Sequence, residues 1–172
     1  MLSYMASACA SQAVGTPPPA AEQPRLEFAF EEYVLLEPTQ VIGQTAFGQR
    51  QYIPILGGTI AGPKFRGKVL PGGWDLQLGL PDGCRTLSAD YFIQAEDGTR
   101  IHVLNQGMLC PASLSGGRSF YRPTLEAPVG PHEWLNRSTF VVTNEVAESA
   151  PPARPGEAPT VKAIRLKFYL VK

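Results

Sequence analysis

The stretch that decides the fold runs from Arg85 to Asn105, "RTLSADYFIQAEDGTRIHVLN". Leu87, Ala89, Tyr91 and Ile93 recur at every second position, the period of a strand with one buried face. Asp97-Gly98 follows, and a glycine there accepts the positive φ of a tight turn. Ile101 and Val103 then resume the alternation, with Asn105 next in phase. Two alternating runs joined by a two-residue turn signal predict an antiparallel hairpin.

The same period extends outward in both directions. Leu26, Phe28 and Phe30 share one predicted face, opposite Glu27, Ala29 and Glu31. "QRQYIPIL" follows, and in "WDLQLGL" Trp74, Leu76, Leu78 and Leu80 oppose Asp75 and Gln77. "WLNRSTFVVTN" and "VKAIRLKFYLVK" also alternate, the latter presenting Ile164, Leu166, Phe168 and Leu170. The 172 residues include 17 Gly and 17 Pro, a density of helix breakers that excludes a helical bundle or coiled coil. The expected fold is all-β, a single antiparallel barrel of about eight to nine strands, because closure removes the exposed edges of short strands. Residues 1–24, rich in Ala and Pro, are expected to form a disordered tail, and 25–172 the barrel domain. Long loops are expected at 108–119 and, between the last two strands, at the Pro-rich 148–160.

Charge and motif content narrow the function by exclusion. Fifteen basic and fifteen acidic side chains balance, so no global basic field exists to hold nucleic acid or an anionic membrane. Apolar runs stop far short of the roughly twenty residues of a membrane helix. "LGGTIAG" matches neither a dinucleotide loop nor a phosphate loop, and no G-x-S-x-G announces a nucleophile elbow. Cys9, Cys84 and Cys110 lack C-x-x-C spacing and are joined by only two histidines, His102 and His132, so no metal site is expected. A Cys84–Cys110 disulfide requires an exported chain; free thiols and a cytoplasmic location are the default expectation, because no basic n-region with an adequate apolar stretch opens the sequence.

Polar residues in step with a buried face are the candidates for binding. Tyr91, Asn105 and Asn136 (with Ser138) fall in apolar phase, and a buried amide or phenol must find partners in the backbone or in a ligand. Arg122 and Glu126 lie four apart in "YRPTLEAP", positioned to point the same way. Arginine offers a planar fork for an oxyanion, and a desolvated glutamate can exchange a proton; a surface ion pair is the plainer reading. Asp75 either caps turn amides or serves as a second carboxylate. Trp134 and Trp74 are expected to wall the site. His102 is assigned to the outer face.

Taken together, "YIPILGGTIAGPKFRGKVLPGGWD", "DYFIQAEDGTRIHVLNQG" and "YRPTLEAP…EWLNRSTFVV" resemble domain-of-unknown-function family 3237, also called uncharacterised protein family 0311, over about Leu26–Val171. The family pattern maps to Gly57, Gly58, Gly62, Gly67, Pro71, Gly72, Gly73 and Asp75, then to Tyr91, Asp97, Gly98, Asn105 and Gly107. It closes with Arg122, Glu126, Trp134, Leu135 and Asn136. In one departure, Trp74 precedes Asp75 where the family commonly carries an aromatic after the aspartate. The resemblance implies a small closed barrel, often paired as a homodimer, and for some fungal relatives cofactor-free ring closure of aromatic natural products.

The resulting expectation is a cofactor-independent enzyme. Its lumen binds a small hydroxylated aromatic or conjugated carbonyl compound, and proton transfer isomerises or cyclises it. Glu126 or Asp75 moves the proton, Arg122, Tyr91 and Asn136 stabilise the oxyanion, and Asn105, Trp134 and Trp74 contact substrate. The alternatives are a non-catalytic barrel that binds a small molecule and a dimeric interaction protein with a filled interior.

Overall fold

The computed structural model describes residues 23–116, 119–146 and 162–172. Residues 1–22 of the expected tail and the whole 148–160 loop lie outside them. The described residues form ten strands: β1 (Leu26–Leu36), β2 (Gln40–Thr45), β3 (Gly48–Ala61), β4 (Gly67–Val69), β5 (Trp74–Gly79), β6 (Arg85–Ala95), β7 (Arg100–Leu109), β8 (Phe120–Glu126), β9 (Phe140–Val146) and β10 (Lys162–Val171). Among the described residues the helical content is one turn at Ala112–Ser115 and a 3-10 turn at Glu133–Arg137, and no helix is long and apolar enough to cross a membrane.

All pairings are antiparallel, and the sheet closes through β1 with β3 and β10, giving eight positions around the barrel. β4 and β5 follow one another along the position between β3 and β6, interrupted at Pro71-Gly72-Gly73. β2 continues beyond β1 along the same edge of β3. Gly73 is required where the interrupted strand presses on β6, since a Cβ there would overlap the Tyr91 side chain and the Asp90 carbonyl.

The interior has two halves. One is plugged by aromatic rings: Phe30 stacks on Phe168 at 4.4 Å and meets Phe65 and Phe140 at 5.4 and 6.0 Å. Leu135, on the 3-10 turn, is buried with this cluster and Trp134 packs against it. The other half, at the rim where β1 and β7 end and β6 and β10 begin, is hollow.

Three details differ from the sequence reading. A bulge between Phe28 and Phe30 breaks the alternation of β1, so Phe28 reaches the surface while Ala29 and Phe30 are both buried. The run beginning at Trp134 is not extended until Phe140, because Trp134–Arg137 coil into the 3-10 turn. Cys84 and Cys110 are bonded rather than free, tying the β5–β6 turn to the end of β7.

Candidate functional site

The hollow half encloses a cavity of about 280 Å³. Its walls are aliphatic, with Val34, Leu36, Ile53, Ile55, Leu87 and Leu166 among them, and its polar groups are Asp75, Gln77, Arg85, Tyr91, Asn105, Tyr121, Asn144 and Thr39. In register, Asp75 lies opposite Ala89 and Ala89 opposite Asn105. A carboxyl and an amide therefore face the same space from either side of a methyl group, which leaves room between them.

Asp75 is held on two sides. Gln77 Nε2 donates to its Oδ2 at 2.6 Å, and the Ser88 backbone N–H donates to Oδ1 at 3.1 Å. Gln77 is oriented in turn by Gln51 Nε2 and by Arg85, which donate to its Oε1 at 2.8 and 3.3 Å. Burial pushes the Asp75 carboxyl above the usual range, while these donors and the Arg85 charge pull it back. Asn105 is 4 % exposed, and its Oδ1 has no hydrogen-bond donor within the described residues. An acceptor left open in a cavity wall is a docking point for a ligand hydroxyl.

Below them, between the lumen and the aromatic plug, Glu32 is completely buried, and the Tyr91 hydroxyl donates to its Oε2 at 2.7 Å. Burial pushes the Glu32 carboxyl up to about 8, the Tyr91 bond opposing the shift. Tyr91 rises well above the phenol range through burial and through the charges of Glu32 and Asp75. Tyr121 is pushed up to about 12 by burial and by Asp75, with Ser119 opposing.

The structure brings Asp75, Tyr91 and Asn105 together in the lumen and places the other sequence candidates elsewhere. Arg122 and Glu126 occupy the alternate, outward positions of β8, whose Tyr121, Pro123 and Leu125 point inward. Glu126 is 82 % exposed and stands 3.9 Å from His102, itself bonded to Asp90 on the outer surface. Their expected place in the lumen is corrected by that parity. Trp74 is about half exposed and does not line the cavity, because β5 turns its polar face inward. Trp134 packs on Phe140 in the plug at 6.1 Å between ring centroids, and Asn136 is spent on the Ala127 backbone.

Six polar residues of the lumen or its floor escaped the sequence reading: Glu32, Thr39, Gln77, Arg85, Tyr121 and Asn144. Glu32 is in phase with Phe30, Val34 and Leu36, and Arg85 with Leu87, Ala89 and Tyr91. Phase was the available signal for these two, whereas Gln77 lies opposite the apolar residues of "WDLQLGL" and carried none.

A family profile described as protein of unknown function DUF3237 matches residues 24–151. The chain belongs to this family. Among DUF3237 relatives, a UPF0311 protein of Clostridium acetobutylicum is 43% identical over 129 residues, covering 67% of this chain and 82% of the relative. The hydroalkoxylation enzyme phnH of Penicillium herquei is 36% identical over 80 residues, 46% of this chain and 53% of the enzyme. The crystal structure of a Clostridium acetobutylicum protein of unknown function superposes with a TM-score of 0.71 at 30% identity, covering 87% of this chain and 100% of the other. That of an enzyme from Penicillium herquei gives 0.64 at 25% identity, covering 92% and 100%. This DUF3237 barrel therefore has an enzyme among its distant relatives.

Proposed function

We propose that this chain is a cofactor-independent enzyme that binds a small hydroxylated aromatic or conjugated carbonyl compound in the lumen and isomerises or cyclises it by proton transfer. The observation that carries the reading is the convergence of Asp75, Tyr91 and the open Asn105 acceptor on one apolar cavity. Asp75, raised by burial yet oriented by two donors, is suited to accept the proton of a substrate hydroxyl. The freed oxygen then attacks the far carbon of a conjugated double bond, a C–O bond forms, and the displaced electron pair collects on the carbonyl oxygen. With Glu32 protonated and donating to the Tyr91 oxygen, the Tyr91 hydroxyl hydrogen is free to stabilise that oxygen. The enolate carbon then takes back the proton held by Asp75, so product and substrate are isomers and the step is redox-neutral. The Penicillium relative named as a hydroalkoxylation enzyme supports a ring closure of this type.

The test is a thermal-shift screen of the full chain against phenols, quinones, lactones and aromatic carboxylates, followed by incubation of the hits. Saturation at a hundredfold excess over Kd stabilises by about 2.7 kcal/mol. Conversion of a stabilising ligand into an isomer, lost in Asp75→Asn, is the expected result. A ligand returned unchanged identifies a carrier, and a blank screen removes the lumen reading.

A further inference from the structure

The Glu32–Tyr91 pair forms the floor of the lumen, and it has a direction. Tyr91 lines the cavity, and its hydroxyl stands 2.7 Å from Glu32 Oε2. Glu32 does not line the cavity; it is wholly enclosed, Tyr91 is its one hydrogen-bond partner among the described residues, and its Oε1 has none. A charged carboxylate in that position would have a single donor where two or three are needed to offset desolvation. A carboxylic acid suits the site better, because only its carbonyl oxygen then goes unpaired.

Which form is present sets where the phenol hydrogen points. A charged Glu32 accepts it, leaving only an oxygen lone pair for the lumen. A neutral Glu32 instead donates to the Tyr91 oxygen, and the phenol hydrogen is released toward the cavity. We propose that Glu32 is a positioning residue and proton source acting through Tyr91, so that the lumen floor donates a proton to a phenolate or enolate oxygen. The inference rests on the proton-transfer reading above and adds its acid. The step balances: the substrate oxygen takes the Tyr91 proton, the Tyr91 oxygen takes the Glu32 proton, and the negative charge passes from substrate to Glu32. Tyr91 alone is too weak an acid for the task. The Glu32 carboxyl, lifted to about 8, matches the basicity of such oxyanions.

The surroundings leave few competing titrations. On the flanking strands, Ile60 of β3 and Leu166 of β10 lie opposite Glu32 and do not ionise. Across the lumen stand Asp75 of β5, Arg85 of β6 and Tyr121 of β8, with uncharged Asn105 of β7 beside them. Asp75 is the one group whose titration needs a separate control.

The experiment uses 4-nitrophenol, whose absorbance reports its ionisation, with the full chain as wild type, Glu32→Gln, Tyr91→Phe and Asp75→Asn. Affinity for the phenolate form is measured from neutral pH upward, with a melting curve at each point to confirm folding. In wild type and in Asp75→Asn, affinity should fall about tenfold per pH unit once Glu32 ionises, since binding then takes up one proton. Glu32→Gln, whose amide donates to Tyr91 at every pH, should bind with a flat profile, and Tyr91→Phe should bind weakly throughout. A merely structural Glu32 would shift affinity without changing that slope. An unchanged slope in folded Glu32→Gln overturns the relay and leaves the lumen reading standing. Failure of the folded wild type to bind the probe at any pH overturns the lumen reading and the relay with it.

Discussion

Asn136 makes a two-way hydrogen bond to the backbone of Ala127: its Oδ1 accepts the Ala127 N–H at 2.6 Å, and its Nδ2 donates to the Ala127 carbonyl at 2.9 Å. The amide imitates a neighbouring strand's peptide group and docks the 3-10 turn against the end of β8. Through that dock, Leu135 and Trp134 are held on the aromatic plug. Asn136→Ala leaves a buried N–H and a C=O unpaired, at a cost on the order of 1–2 kcal/mol. A melting temperature lower by about 2–6 °C is expected, with ligand affinity in the lumen unchanged. Loss of affinity without loss of stability would return Asn136 to the binding site.

Glu32 ties stability to pH with a definite sign. Its carboxyl titrates near the ordinary glutamate range in the unfolded chain and at about 8 in the fold. Between those values the native state binds the extra proton, so stability falls as pH rises through the window and levels off above it. The fall attributable to this one buried group is on the order of 5 kcal/mol at most. Urea denaturation across that range should show the decline in wild type and a flatter profile in Glu32→Gln. The variant should be the more stable protein above pH 8. A wild-type stability that rises across the window would contradict the assignment.

Arg122 and Glu126 supply the opposite expectation. Both project from the outer face of β8, away from the cavity. Arg122→Ala and Glu126→Gln should each change stability by less than about 0.5 kcal/mol. Neither should alter the binding of any compound that stabilises the protein in a thermal-shift screen. A variant that abolishes turnover with the lumen ligand still bound would show that the outer surface takes part in the chemistry.

The barrel could be read from sequence because most strands obey one rule, apolar side chains in and polar side chains out. Tyr91, Ile93, Ile101, Val103, Phe168 and Leu170 follow it, and so does Asn105 as the polar residue in their phase. The rule inverts at β5. There Asp75 and Gln77 face the lumen while Trp74 lies toward the outside, so the apolar side of "WDLQLGL" is not the buried one. At β1 Glu32 keeps the phase of Phe30, Val34 and Leu36, but beside Glu31 its charge reads as that of a surface residue. Alternation identifies the two faces of a strand, but a hollow interior removes the physical reason to equate the greasier face with the inner one. Arg122 and Glu126 went astray by the same route: a suitable chemistry and a shared face, on the wrong side of the wall.

The Cys84–Cys110 bond joins residues 26 apart in sequence, and its neighbours carry it to the site. Arg85 follows Cys84 and Leu109 precedes Cys110, and both side chains line the lumen. Closing a loop of that length removes unfolded-state entropy worth about 3–4 kcal/mol at 25 °C. Reduction, or paired Cys84→Ser and Cys110→Ser substitution, should therefore lower the melting temperature by roughly 10 °C. Because the bond pins the rim that orients Arg85 on Gln77, the reduced protein should also bind its lumen ligand more weakly than the oxidised one. Disulfides persist where the surroundings are oxidising. Thiol counting on protein purified under alkylating conditions checks the premise. Two free thiols at Cys84 and Cys110, with no change in melting on adding reductant, would return the pair to the reduced state and leave Arg85 held by Gln77 alone.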